Sequence, residues 1–227
     1  MTTIRCWNSA DELAAAVAAE MARAVGQPHP VPHAIMLAGG ATPLAAYQLL
    51  TAHPPHIAPS THIFFSDDRH VPPSDPRSNF GQIQPMLKAW QLPDSRVMRV
   101  EGEQTLPEAT QNYDQVLARY LDGGGLIPLG LLGLGTDGHT ASLFTPEHIR
   151  QGSDTWAISV ARPDGLSGIS VTPRLLNRVQ RLLFVVSRSA KKDIVQKLLT
   201  DPTTLPAGLA TAQHPDVELW MDQAASP

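Results

Sequence analysis

The sequence predicts a single three-layer α/β domain built on a mostly parallel sheet. Three observations carry this. Short continuous apolar runs alternate with helical patterns along the chain. No Pro/Gly/Ser-rich linker and no internal repeat divides residues 1–227. A length of 227 residues suits one large domain.

The elements follow in order. Ser9-Ala10-Asp11-Glu12 reads as a capping box opening a helix over Leu13–Val25, which Gly26 and Pro28 stop. Ala34–Leu37 is a buried strand running into Gly39-Gly40. A helix opens near Thr42, with Pro43 in its first turn and Leu44–Leu50 as its body. Thr61–Ser66 is a strand ending in Asp67-Asp68-Arg69-His70. Asn79–Trp90 is helical, with Pro85 as a kink or late start. Arg96–Val100 is a strand and Pro107–Leu121 a helix. Gly123-Gly124-Gly125 forms a loop before the strand Ile127–Leu134. Trp156–Ala161, Ile169–Thr172 and Leu182–Ser187 are further strands, Ala190–Leu199 a helix and Val217–Met221 a last strand.

Composition narrows the function. The 16 glycines and 21 prolines are too few for a low-complexity chain. Lys and Arg number 17 against 21 Asp and Glu, a net charge of −4, so no basic excess points to nucleic acid. The one cysteine, Cys6, excludes an internal disulfide framework and any multi-cysteine metal site. No apolar run is long enough to span a bilayer, and the N-terminus lacks the pattern of a secretory signal. The expectation is a cytoplasmic protein that engages neither membrane nor nucleic acid.

In an open parallel sheet, ligands bind beyond the carboxyl ends of the strands. Three polar clusters take that address. Gly39-Gly40-Ala41-Thr42-Pro43, between strand and helix, suits an anion: glycines permit close approach, and the helix start and the Thr42 hydroxyl offer donors. It matches neither nucleotide-binding glycine motif. Asp67-Asp68-Arg69-His70 packs four charged or titratable groups ahead of a proline-stiffened loop. Asp67, Asp68 and His70 lack a metal-site spacing and a clear further ligand, so no metal is expected. Gly135-Thr136-Asp137-Gly138-His139 turns sharply off a buried strand; imidazole titrates near neutrality, and the nearby carboxylate of Asp137 can fix the tautomer of His139. There is no G-x-S-x-G elbow and no histidine beside Cys6, which disfavours a serine or cysteine nucleophile.

Three segments carry a resemblance to a known family. Leu37–Pro43, Phe65–Pro72 with Ser78–Gly81, and Leu132–Phe144 resemble, in order and spacing, the signature segments of the 6-phosphogluconolactonases, and the likeness extends to Trp220-Met221-Asp222. The resemblance implies a Rossmann-like α/β/α fold, metal- and cofactor-free hydrolysis of 6-phosphoglucono-δ-lactone in the pentose phosphate pathway, and a monomer or weak homodimer. It implies His139 as the general base, Asp137 as its orienting group, Arg69 facing the lactone carbonyl, and Asp67 as the motif's acid. Asn79 would hold the sugar or the loop. Gly39, Gly40, Thr42, Gly138 and Lys191 would hold the phosphorylated substrate. A related sugar-phosphate deaminase or isomerase, and a non-catalytic sugar-phosphate sensor, are the other readings. Arg69 after the acidic pair and Thr140–Phe144 after His139 favour the lactonase. Two departures affect the phosphate side: Gly168 stands where the family usually has an arginine, and Arg188 where it usually has a glycine. Arg188, or less directly Arg174, would restore the missing charge.

Overall fold

The computed structural model describes residues 3–227. Seven strands form one wholly parallel sheet: β1 (Thr3–Trp7), β2 (His33–Leu37), β3 (Thr61–Phe65), β5 (Val97–Met98), β6 (Leu126–Leu132), β9 (Leu182–Val186) and β10 (Val217–Asp222), in the order β1-β10-β9-β6-β2-β3-β5. Side chains alternate across it, as the two-residue period of a strand requires. Ile35, Leu37, Ile63 and Phe65 face one apolar layer, which α1 (Ala10–Gly26), α2 (Ala41–Ala52) and α3 (Asn79–Ala89) cover. Ala34, Met36, Phe64 and Phe184 face the other, under α4 (Leu106–Asp122) and α7 (Lys192–Thr200). Burial on both faces explains why the central strands read as continuous apolar runs. No helix among the described residues is long and apolar enough to cross a membrane.

The structure adds a second sheet that the sequence does not announce. Asp67–Arg69 is itself a strand, β4, and pairs antiparallel with β8 (Ser167–Val171), which pairs with β7 (Ala157–Ala161). The strands expected near 156–161 and 169–172 are therefore real but lie outside the parallel sheet. Their hairpin, closed at Gly165, carries Arg162 over the carboxyl edge of the main sheet. Two expectations shift in detail. Ser9 does accept the Glu12 N–H, but the Glu12 carboxylate turns back to Asn8 rather than to Ser9, so the box is half formed. The helix expected from Ala190 opens as a 3-10 turn over Ser189–Lys191 before α7. The first strand, β1, escapes sequence reading because it is an edge strand of mostly exposed residues with no apolar run. Short helices α5 (Pro146–Gln151), α6 (Pro173–Leu176) and α8 (Pro206–Ala210) escape it because each is one to two turns long.

At the amino end of β2, His33 is fully buried. Thr61 commits its only proton to the Val25 carbonyl at 2.7 Å, so its oxygen accepts Nε2–H of His33 at 3.0 Å. Nδ1 then accepts from the Ser60 hydroxyl at 3.1 Å. The ring is thus neutral, and burial, with the neighbouring His29, pushes its pKa down to about 4. Unfolded histidine titrates near 6.5, so this contribution to stability is complete above pH 6.5 and is lost as pH falls towards 4. Urea denaturation of wild type and His33→Gln isolates it from carboxyl groups that titrate in the same range. The stability gap between the two should narrow by about 1–3 kcal/mol from pH 7 to pH 4.5. A gap independent of pH would refute the neutral buried ring.

Candidate active site

The polar clusters that follow β2, β3 and β6 meet in one cleft of about 320 Å³, at the carboxyl edge of the parallel sheet. Gly39, Gly40, Thr42, Asp67, Arg69, Asn79, His139, Arg188 and Lys191 all line it. Asp137 and Gly138 belong to the turn that presents His139 but are not on the cleft wall.

The floor depends on Asp68, a carboxylate that is 2% exposed. It accepts the backbone N–H groups of Arg69 at 2.8 Å, Asn79 at 2.6 Å and Phe80 at 3.0 Å, and the Ser78 hydroxyl at 3.1 Å. Burial pushes its pKa up to about 6 against these donors, so it is ionised at neutral pH. The bonds tie the start of α3 to β4 and set Asn79. The Asn79 carboxamide donates to the Asp67 carbonyl at 2.8 Å and accepts from Arg69 Nη1 at 2.8 Å. It packs so closely on Gly39 that a Cβ there would fall 2.1 Å from its Oδ1. Gly39 is glycine for that close approach.

His139 is built by the turn after β6. The Asp137 carboxylate accepts Nδ1–H at 2.5 Å and the His139 backbone N–H at 3.2 Å. This fixes the tautomer and leaves Nε2 as the ring's proton acceptor, with no protein partner among the described residues. Burial works to raise the Asp137 carboxyl, but the hydrogen bond and charge of His139 outweigh it and hold the group below its usual value. The turn itself is closed by Gly135 N–H to the His139 carbonyl at 2.8 Å and pinned from α8 by Ala207 N–H to the Gly138 carbonyl at 2.9 Å. A Cβ on Gly135 would lie 2.1 Å from Nδ1, so the pair forms only over glycine. The Phe144 ring packs on the imidazole, centroids 4.4 Å apart.

Cations and hydroxyls complete the walls. Lys191 Nζ donates to the Leu134 carbonyl at 2.6 Å. Burial lowers its pKa, Asp137 opposes that shift and the charge of Arg188 adds to it. The Thr42 and Ser187 hydroxyls share a hydrogen bond of 2.7 Å. Pro43 has no N–H to offer, and the N–H groups of Ala41 and Thr42 open α2 without intrahelical partners. His70 points elsewhere, donating from Nε2 to the Gln104 carbonyl at 2.8 Å. Among the described residues no three His, Cys, Asp or Glu side chains gather as a metal site.

Three residues were missed in the sequence. Ser187 follows β9, at the same carboxyl edge as the other clusters, and the strand-end rule would have found it. Ser142 lies three residues after His139, with its N–H donated to Ser170 Oγ of β8, and Arg162 needs the antiparallel hairpin to arrive. The Arg162 guanidinium, 8% exposed, donates to Ser142 Oγ at 2.6 Å; Ser142 passes its own proton to Asp67 at 2.6 Å. Arg162 also pairs with Asp164 at 3.1 Å and lies 5.2 Å from the Phe144 ring centre. A Cβ on Gly168 would sit 3.0 Å from Arg162 Cδ, so Arg162 fills the space a side chain at 168 would enter. Arg174, considered above as a source of the missing charge, is not in the cleft: it stacks on Trp156 and bonds the Asp154 carbonyl.

A cationic cleft with an oriented histidine at the carboxyl edge of a parallel sheet is the equipment of an enzyme for a small anionic substrate. The chain belongs to the glucosamine-6-phosphate isomerase/6-phosphogluconolactonase family, whose model matches residues 8–220. It is 33% identical over 206 residues to a 6-phosphogluconolactonase of Haemophilus influenzae, covering 87% of each chain. A crystal structure described as devB protein superposes with a TM-score of 0.88 at 28% identity, over 99% of this chain and 98% of that one. The crystal structure of a Thermotoga maritima 6-phosphogluconolactonase gives 0.81 at 24% identity, over 98% and 99%, and supports the fold.

Replacing Asp68 by Asn turns an acceptor oxygen into a donor facing N–H groups. Asp68→Asn should lower stability by about 2–4 kcal/mol in urea denaturation and speed amide exchange at Asn79 and Phe80. Unchanged exchange at those two amides would show that Asp68 does not hold the floor.

Proposed function

We propose that this protein hydrolyses 6-phosphoglucono-δ-lactone to 6-phosphogluconate. The observation that carries this reading is the Asp137–His139 pair, its Nε2 without a partner among the described residues, in a cleft that Arg69, Arg162, Arg188 and Lys191 also line. The relatives named 6-phosphogluconolactonase support the same reaction.

Four cations suit a substrate with a phosphate at one end and a carbonyl that gains negative charge at the other. On this reading Gly39, Gly40, Thr42, Lys191 and Arg188 hold the phosphate, and Asn79 keeps Arg69 aimed at the lactone. Nε2 of His139 takes a proton from water as the water oxygen attacks the carbonyl carbon. The tetrahedral oxyanion forms beside Arg69. It collapses with cleavage of the bond to the ring oxygen, and the imidazolium returns its proton to that leaving oxygen. Asp137 stabilises the imidazolium between the two steps. Asp67, joined to Arg162 through Ser142, positions that arginine rather than reacting.

The test is to generate the lactone from glucose 6-phosphate and follow its disappearance with and without the protein. Wild type should accelerate it, and His139→Ala should lower turnover by roughly 10²–10⁴-fold while remaining folded. Wild-type turnover in folded His139→Ala would remove the histidine from the mechanism. Ammonia release from glucosamine 6-phosphate, without lactone hydrolysis, would replace the reading with a deaminase.

A further inference from the structure

Arg188 breaks the local rules of the chain. Its backbone has φ 84° and ψ 146°, a region open to glycine and avoided by residues with a Cβ. The other non-glycine residues with positive φ, Gln91 at 53° and Ala141 at 48°, stay near the φ of the left-handed helical well. Strain of this kind persists only where the surroundings over-determine it. Here they do. The Arg188 N–H donates to both oxygens of the Asp222 carboxylate, each at 3.1 Å, and Asp222 is buried and also accepts the Ala225 N–H at 2.9 Å. The Arg188 carbonyl accepts the Lys191 N–H at 3.0 Å.

The guanidinium gains nothing from the protein in return. It has no hydrogen bond or ion pair with any described residue. Arg188 is an exposed residue that lines the cleft, as do Lys191, Thr42 and Ser187, and its charge is one of the causes that lower the Lys191 pKa. Strained backbone and like-charge crowding are both unfavourable in the empty protein. A bound anion offsets the second, and a side chain needed in that place accounts for an arginine, rather than a glycine, bearing the first. We propose that Arg188 is an anion-holding residue, kept in a glycine-type conformation by Asp222 so that its guanidinium meets the substrate's phosphate together with Lys191. The phosphate's identity rests on the reaction proposed above; the anion site itself does not.

Three variants test this, with melting temperature, calorimetric binding of inorganic phosphate, and steady-state kinetics on the lactone as readouts. Arg188→Gly and Arg188→Ala remove the same guanidinium but differ in strain. Despite the greater freedom of glycine in the unfolded chain, Arg188→Gly should melt about 2–5 °C above Arg188→Ala. Both should weaken phosphate binding roughly tenfold and raise KM for the lactone more than they lower kcat. Arg188→Lys should keep most of the affinity. Wild-type phosphate affinity in Arg188→Gly and Arg188→Ala overturns the anion role, and an Arg188→Gly no more stable than Arg188→Ala overturns the strain. If wild type does not hydrolyse the lactone yet loses phosphate affinity on Arg188→Ala, the reaction fails and the anion site stands. If wild type is an active lactonase but phosphate affinity and KM are unchanged in the variants, the anion site fails and the reaction stands.

Discussion

The cleft depends on one buried carboxylate. Asp68 draws in three backbone N–H groups and a hydroxyl from residues up to twelve positions away in sequence. Without an acceptor there, the N-terminus of α3 would leave its first donors unsatisfied inside the protein, at a cost of about 1–3 kcal/mol each. With it, the proline-rich loop before α3 is tied to β4, Asn79 is placed, and through Asn79 so is Arg69. The ordering runs from a buried charge to one in the cleft: Asp68 is not on the cleft wall, yet two wall residues, Asn79 and Arg69, take their positions from it.

A second constraint decides where the cleft opens. β2 and β3 must stop pairing before the polar clusters, and the backbone groups at those ends still need partners. Two buried tyrosines from opposite layers supply them. Tyr47 of α2 donates to the Ala38 carbonyl at 2.9 Å and accepts its N–H at 3.2 Å; Tyr113 of α4 does the same for Phe65, at 2.5 Å and 3.1 Å. Burial raises the pKa of both phenols, so each stays a neutral donor and acceptor. The strand ends are dry and satisfied, and the residues after them are free to turn into the cleft.

What was legible in the sequence follows from the range of the interactions. The Gly39–Thr42 turn and the Asp137–His139 pair are local: their partners lie within a few residues, and glycine marks the close approaches. The central strands were legible because burial on both faces leaves continuous apolar runs. β4 was not, because a three-residue strand of Asp, Asp and Arg has no apolar signature and its partner β8 lies a hundred residues further on. Missing β4 meant missing the second sheet, and with it Arg162. Gly168 showed in the sequence as a lost side chain; in three dimensions it is room made for the side chain of Arg162, two residues beyond its paired position on β7. A neighbour across a hairpin is invisible to sequence spacing.

The four cations of the cleft divide by how much the protein already uses them. Arg162 is consumed by Asp164, Ser142 and Asp67, so its charge is largely neutralised and its contribution is to geometry. Arg69 gives one nitrogen to Asn79 and the Arg77 carbonyl, while its Nε is buried without a partner among the described residues. It is held but not neutralised, which on the proposed reading leaves it to meet charge that develops in the reaction. Lys191 bonds a neutral carbonyl, and the Arg188 side chain bonds no described residue, so neither is paired with a protein carboxylate by a hydrogen bond or ion pair among the described residues. The division fits the proposed substrate, with a permanent charge at one end and a transient one at the other. On that reading, binding strength would come from Lys191 and Arg188, where the charge is present before and after reaction, and rate from Arg69 and His139, where it is not.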